Sequence, residues 1–470
     1  MIEIENKNQK KKVIVVGGGF AGLTAARKLL KEGYQVELIE KRPILGGKWS
    51  AWKDEAGDWI ETGLHVFFGA YDEIFDLMKE LNIYDRIDWK EHVLTYTLDK
   101  GERFEFRTIN LPSPFHLLPA VFQNHYFSLM EKLSLGKALF PIIFGSKKYY
   151  DEQDKKTYQD WHRNLGISDK MLKKMFLPMT LALKFLPPEH ISAKIVLDVS
   201  GTFLRQNTAS KIGLLKGSPD THLTAPICED IYKKGGIITS ELKLSKVELK
   251  SDKSIDHLVF EDKNGQTIQK QADNYIFALP IHNLRKLLPK QWIDEHDYFK
   301  GLNQIESVPV VTLHLWLDRQ ISQIDNILFS PDGYIPVYAD MSNTTDDYKR
   351  NGKSRFQFVV APAFDFINMT DDQIVNKIWE GIKGIYPDTA PQAKIEKAKV
   401  VRIPRSVYWP AKGTDKLRVS QKSPIRNLAI AGGYTKQRFY DSMEGAVRSG
   451  NRAADVIITQ DQGLNWKDKD

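Results

Sequence analysis

A single cysteine, Cys228, stands among 470 residues. A lone thiol excludes an internal disulfide, a cysteine-rich zinc site and a CxxC redox pair, and it fits a reducing, cytoplasmic-type compartment. No apolar run approaches the ~18 residues that a membrane-crossing helix requires. The opening residues are polar and basic (Lys7, Lys10, Lys11, Lys12) and lead into a strand, without the apolar core of a signal peptide. "KNQKKK" therefore reads as a solvated arm. Repeats and low-complexity tracts are missing, and nothing resembles a nucleic-acid module. The net charge of +7 is mild for this size and reads as scattered solubilising charge. What remains is ordinary globular composition, long enough for two or three structural units.

The informative stretch is "VIVVGGGFAGLTAARKLLKEGYQVELIEK", Val13 to Lys41. Val13–Val16 reads as a buried parallel strand, Ala21–Glu32 as a helix stopped by Gly33, and Gln35–Ile39 as a second strand. Gly17, Gly19 and Gly22 satisfy G-x-G-x-x-G between strand and helix. The first glycine permits the tight turn, the second lets backbone approach a pyrophosphate, and the third lets helix pack on strand. The helix N-terminus offers free N–H groups to phosphate, and Glu40 ends the second strand where a carboxylate can accept ribose hydroxyls. Two further features select a resident flavin over a mobile nicotinamide. Gly46-Gly47-Lys48 follows the acid closely, as an extended FAD requires. The last strand ends in Gly432-Gly433, and a helix opening near Ser442-Met443 can place its positive end at the isoalloxazine. A second G-x-G-x-x-G is missing, which argues against a separate NAD(P)H domain and points electrons toward a quinone or oxygen.

The implied fold class is α/β: a discontinuous Rossmann-like FAD-binding domain from residues 1–95, 206–284 and 424–460. Between its pieces lie a helical, aromatic-rich subdomain (96–205) and a mixed-sheet substrate domain (285–423), with a polar tail at 461–470. "KLSKVELKSDKSIDHLVFEDKNGQTIQKQADNYIFALP" reads as a meander turning at Asp252-Lys253 and Asn264-Gly265. A further helix is expected near Asp371–Tyr386.

Several blocks resemble a known family. "EKRPILGGKWSAWKDEAGDWIETGLHVFFGAYDEI", "VPVVTLHLWLDRQ", "VYADMS" and "PRSVYWPAKGTDKLRVSQKSPIRNLAIAGGYTKQRFYDSMEGAVRSG" are similar to the plant and cyanobacterial type of phytoene desaturase, among the amine-oxidase-like flavoproteins. The likeness runs over essentially the whole chain. It implies FAD, a membrane-associated isoprenoid substrate and a quinone acceptor, and it leaves room for a homo-oligomer. By position it implies Ala21, Glu40, Lys41, Lys48, His65, Val66, Tyr71, Val247 and Met443 as FAD neighbours. Two departures stand out. The family's A-G-D-Y-T-K-Q has Asp where this chain has Gly433, a loss on the order of 1–3 kcal/mol of cofactor binding. The family's Arg in the substrate and quinone region aligns with Thr202, with Arg205 one helical turn away.

The implied chemistry is hydride transfer from an allylic carbon to the flavin with proton loss from its neighbour. That chemistry needs positioning and exclusion of water more than an acid–base side chain, so no catalytic residue is assigned. His65 is a candidate, weighed against a packed, hydrogen-bonded histidine. The alternative is a related flavoprotein acting on another polyene or terpenoid: a carotenoid isomerase, a saturase or a hydroxysqualene dehydroxylase. "LPSPFHLLPAVFQNHYFSLMEKLSLGKALFPIIFGSKKYY" sets Phe, Leu and Ile beside Lys132, Lys137, Lys147 and Lys148 and reads as a peripheral membrane-facing rim, with Phe140, Ile142 and Ile143 as its apolar contacts. "DEQDKK" at Asp151 reads as a surface charge run, and Trp161 and His162 as helix packing.

Overall fold

Five strands from three distant stretches form one parallel sheet, in the order Ile237–Thr239, Gln35–Ile39, Lys12–Val16, Asn274–Phe277 and Leu428–Ile430. Four of them are apolar runs buried along most of their length, as a helix-covered parallel sheet demands, while the edge strand Ile237–Thr239 is partly exposed. The register pairs Val13 with Val36 and Asn274, and Tyr275 with Leu428. This is a computed structural model; it describes residues 10–122, 125–332 and 334–467. Lys7 of the basic arm, Gln123 and Asn124 of the aromatic segment, and residues 468–470 of the tail lie outside the described residues.

Helix Phe20–Lys31 and the last helix, Met443–Asp461, pack against each other and the sheet, sharing a core of Leu23, Ala26, Val447 and Ala454. Gly33 takes φ +86° just beyond the first helix, the left-handed stop that only glycine adopts freely. The meander forms a three-stranded antiparallel sheet, Leu242–Leu249, Ile255–Asp262 and Thr267–Lys270. It turns through Lys253 and Gly265, both at positive φ. Its return, expected through Tyr275 to Leu279, is the strand Asn274–Phe277, which leaves the meander and enters the parallel sheet beside Lys12–Val16.

A seven-stranded mixed sheet runs Ile395–Tyr408, Ser307–Leu317, Arg355–Val360, Val337–Asp340, Leu328–Phe329, Val93–Thr97 and Arg103–Arg107. Ser307–Leu317, the "VPVVTLHLWL" run, is buried along nearly its whole length because strands cover both its edges. Helix Asp371–Ile385 lies in the same core, opened by a Thr370–Gln373 capping box. The hairpin Val93–Thr97 and Arg103–Arg107 also belongs to this sheet. The stretch from 96 onward is thus not purely helical; apart from a single 3-10 turn at Asp99–Gly101 its helices begin beyond residue 114. Trp161 and His162 pack inside that helical layer. The "DEQDKK" run is only partly solvated: Asp151 pairs with Lys194 (3.0 Å), and Asp154 accepts from Ser192 Oγ (2.6 Å).

Candidate functional site

The site begins where the first strand stops. Gly17 takes φ +114°, and its N–H donates to Ile39 O (2.8 Å). A methyl on Gly22 would lie 1.9 Å from Gly17 O, so the helix can start this close to the strand only with glycine there. Helix Phe20–Lys31 has no side-chain cap and no acidic residue in its first turn, while Lys28 and Lys31 sit in its last. Its leading N–H groups and positive dipole end are therefore available to a phosphate. Glu40 is buried; its carboxylate accepts from Gly18 N (2.7 Å) and Arg42 N (3.0 Å). The two carboxylate oxygens retain further acceptor capacity, which is what ribose hydroxyls require.

The second glycine pair touches the first turn. Gly46 N donates to Gly18 O (2.9 Å). Gly47 takes φ +65°, and a Cβ there would lie 2.8 Å from Gly19 Cα. Residues 17–22 and 46–47 thus present one bare backbone surface, with an acid at one end. That surface fits the adenine-linked half of FAD. Ala21 is buried in the helix, and Lys41 is exposed beside Glu40.

At the other end, the chain's last loop joins this surface. Lys48 Nζ pairs with both oxygens of Asp441 (2.9 and 3.0 Å). His65 Nε2 lies 3.0 Å from Lys48 O, and its ring meets Trp49 edge-on at 4.8 Å. Burial lowers the His65 pKa against the opposing pull of Glu61, so the ring is neutral near pH 7. Gly432 donates to Ser449 Oγ (2.9 Å). Ser442 caps the last helix by accepting from Gly445 N (3.1 Å), and Met443 is its first residue. Glu444, next in that turn, is fully buried and turned away, accepting from Glu73 N (3.0 Å) and Ile74 N (2.9 Å). Burial and the neighbouring Asp72 raise its proton affinity. Tyr71 packs edge-on against Phe439 at 5.5 Å. Val66 is half-buried against the core. Val247 lies in the three-stranded antiparallel sheet opposite Leu258, on the strand whose first residue, Leu242, donates its N–H to Glu40 O (3.1 Å).

Beside the last helix opens an apolar cleft lined by Tyr71, Lys184, Val199, Thr202, Phe203 and Phe439. An adjoining cleft shares Leu183, Lys184 and Val199 and reaches Phe176 and Met179. Thr202 lines the first cleft, with its hydroxyl donating to Asp198 O (2.8 Å). Arg205 is held elsewhere: its guanidinium donates to Ile143 O (3.1 Å), Gly145 O (3.1 Å) and Tyr150 OH (2.7 Å).

Two residues of this region escape sequence reasoning. Lys184 donates to Tyr440 O across the fold; burial pushes its ammonium down to about 8, with Asp441 opposing and Arg418 adding to the shift. Asp441 reaches the site only because a loop of the last segment folds back on Gly433. The one signal was the absent carboxylate at 433, with an unassigned acid eight positions on.

The comparisons agree with this geometry. The chain matches the family of flavin containing amine oxidoreductases over residues 20–458. It is 38% identical over 456 residues to a 15-cis-phytoene desaturase of Capsicum annuum, covering 95% of this chain and 77% of that protein. It is 37% identical over 460 residues to the 15-cis-phytoene desaturase of Synechococcus elongatus, covering 96% and 97%. In fold it resembles an oxidoreductase structure from Methanosarcina mazei, with a TM-score of 0.73 at 18% identity, covering 93% and 98% of the two chains. Bare glycine cradle, ribose-ready Glu40 and sequence likeness converge: the chain belongs to the flavin-containing amine oxidoreductases, with FAD as its cofactor.

Proposed function

We propose that this flavoprotein desaturates a long isoprenoid of the phytoene type and passes the electrons to a quinone. The observation that supports the reading is a pair of small adjoining apolar clefts that share Leu183, Lys184 and Val199, one beside Tyr71 and Phe439 at the last helix and the other reaching Phe176 and Met179. FAD, when bound, would supply the two-electron acceptor for a hydride from an allylic carbon of the lipid. The residues of the chain do the rest. The Gly17–Gly22 turn, Gly46–Gly47 and Glu40 would hold the cofactor, and the start of the last helix would support its ring end. Leu183, Val199, Phe203 and Phe439 hold a polyene by shape and exclude water, since such a substrate offers no polar handle. His65, neutral and bonded to Lys48 O, orients the loop rather than carrying charge.

The substrate would enter from a membrane surface. No helix among the described residues is long and apolar enough to cross a membrane. Helix Leu129–Phe144 nevertheless exposes Leu129, Met130, Leu133, Phe140 and Phe144, and nearby Phe115, Leu118 and Phe122 add to the patch. A contiguous apolar face with lysines close by suits an interfacial helix. Ile142 is not part of that face; it is 1% exposed and packs inward.

The test is to incubate the purified yellow protein with phytoene in liposomes and a soluble quinone, following absorbance for longer conjugation. A red-shifted product is expected. Flavin-loaded protein that leaves the spectrum unchanged would rule out this substrate, and turnover only after chemical reduction of the flavin would assign the chain an isomerase-like reaction.

A further inference from the structure

Gly433 and Asp441 are mutually dependent. A Cβ built on Gly433 would lie 2.3 Å from Asp441 Oδ1 and 2.7 Å from its Cα. Within an aspartate, standard bond lengths put the carboxylate oxygens about 2.4 Å from Cβ. Asp441 Oδ1 therefore stands at the reach of an aspartate side chain rooted at 433. It does so at φ +39°, a left-handed conformation that non-glycine residues rarely adopt. Strain of that kind persists where surrounding contacts impose it, and here they do. The carboxylate accepts from Lys48 Nζ (2.9 and 3.0 Å) and Tyr408 N (2.9 Å), and the Asp441 N–H donates to Gly433 O (3.2 Å). Asp441 is thus tied at once to the Gly46–Lys48 loop, the Gly432–Gly433 turn and, through Ser442, the first turn of the last helix. Its side chain is 12% exposed, so little of this charge is spent on solvent.

We propose that Asp441 supplies toward FAD the carboxylate that position 433 lacks, accepting from a ribityl hydroxyl, and that Gly433 is the space that admits it. The inference rests on the FAD-binding reading. Its test is a double-mutant cycle on FAD affinity, read by quenching of flavin fluorescence on titration into the apoprotein, with ADP affinity measured in parallel by titration calorimetry. Asp441→Ala should weaken FAD at least tenfold and leave ADP, which engages the Gly17–Gly22 turn, Gly46–Gly47 and Glu40 but has no ribityl chain, within twofold. Gly433→Asp should also weaken FAD, because its side chain collides with Asp441. The double variant Gly433→Asp/Asp441→Ala should bind FAD within threefold of wild type; if Gly433→Asp alone does not fold, comparing the double variant with Asp441→Ala decides alone. Wild-type FAD affinity in Asp441→Ala, equal losses of FAD and ADP, or a double variant no tighter than Asp441→Ala would each overturn the proposal. Failure of the wild-type chain to bind FAD would instead defeat the flavoprotein reading itself.

Discussion

At the scale of single residues, Gly22 shows how little freedom the cofactor turn has. The nearest atom to an added methyl is a backbone oxygen, at 1.9 Å, which cannot swing aside as a flexible side-chain end would. Gly22→Ala must push the helix off the strand, an overpacking cost of about 1–3 kcal/mol. It also moves the N–H groups proposed to hold the phosphates. Purified Gly22→Ala should be nearly colourless, with a flavin-to-protein absorbance ratio far below wild type and a lower melting temperature; a fully yellow variant would contradict the cradle. Gly17, Gly19, Gly22 and Glu40 were legible in the sequence because their geometry is local, set by a strand, a turn and a helix within 29 residues. Asp441 and Lys184 were not. Their partners, Lys48 and Tyr440, lie 393 and 256 positions away, and no local pattern encodes a meeting over that span.

At the scale of an element, helix Leu129–Phe144 separates what its composition merges. Its start was written plainly: Ser128 accepts from Glu131 N while Glu131 accepts from Ser128 N, a capping box. Its orientation was not, because the run is apolar almost all round and periodicity cannot choose a face. The structure buries Leu135, Ala138 and Ile142 and exposes Leu129, Leu133, Phe140 and Phe144. Substitutions on the two faces should therefore act differently. Phe140→Ser/Phe144→Ser should cut co-sedimentation with anionic liposomes severalfold at unchanged melting temperature. Ile142→Ser should lower stability by about 2–5 kcal/mol, through a cavity and a buried hydroxyl, as measured by urea unfolding. Equal pelleting of the double variant and wild type would remove the membrane-facing assignment.

At the scale of the whole molecule, the parallel sheet and a mixed sheet within 285–423 were foreseeable, and the joining of Val93–Thr97 and Arg103–Arg107 to that mixed sheet was not. The strand–helix–strand opening and the closing strand–turn–helix each carry their own signals. The pairing of Val93–Thr97 with Leu328–Phe329 joins positions more than 230 apart, and a two-residue strand has no period to read. Lys184 offers a global probe of how the helical layer docks on the cofactor domain. It stands on helix Leu177–Lys184 and donates to Tyr440 O beside the last helix, facing Asp441 and Arg418. Burial holds its folded pKa near 8 against an ordinary value of 10.5. Between those values the unfolded chain binds more protons than the folded one, so folding stability rises with pH across that window. Below pH 8 the buried ammonium is charged in both states, and its desolvation counts fully against the fold. Lys184→Met keeps the bulk and removes the titration. The melting temperature of wild type minus that of Lys184→Met should thus climb as pH increases from 8 to 10.5 and stay level from 6.5 to 7.5; scanning calorimetry of both proteins in matched buffers reads the difference directly. A difference that is flat from pH 8 upward would mean the ammonium is not desolvated where helix and loop meet.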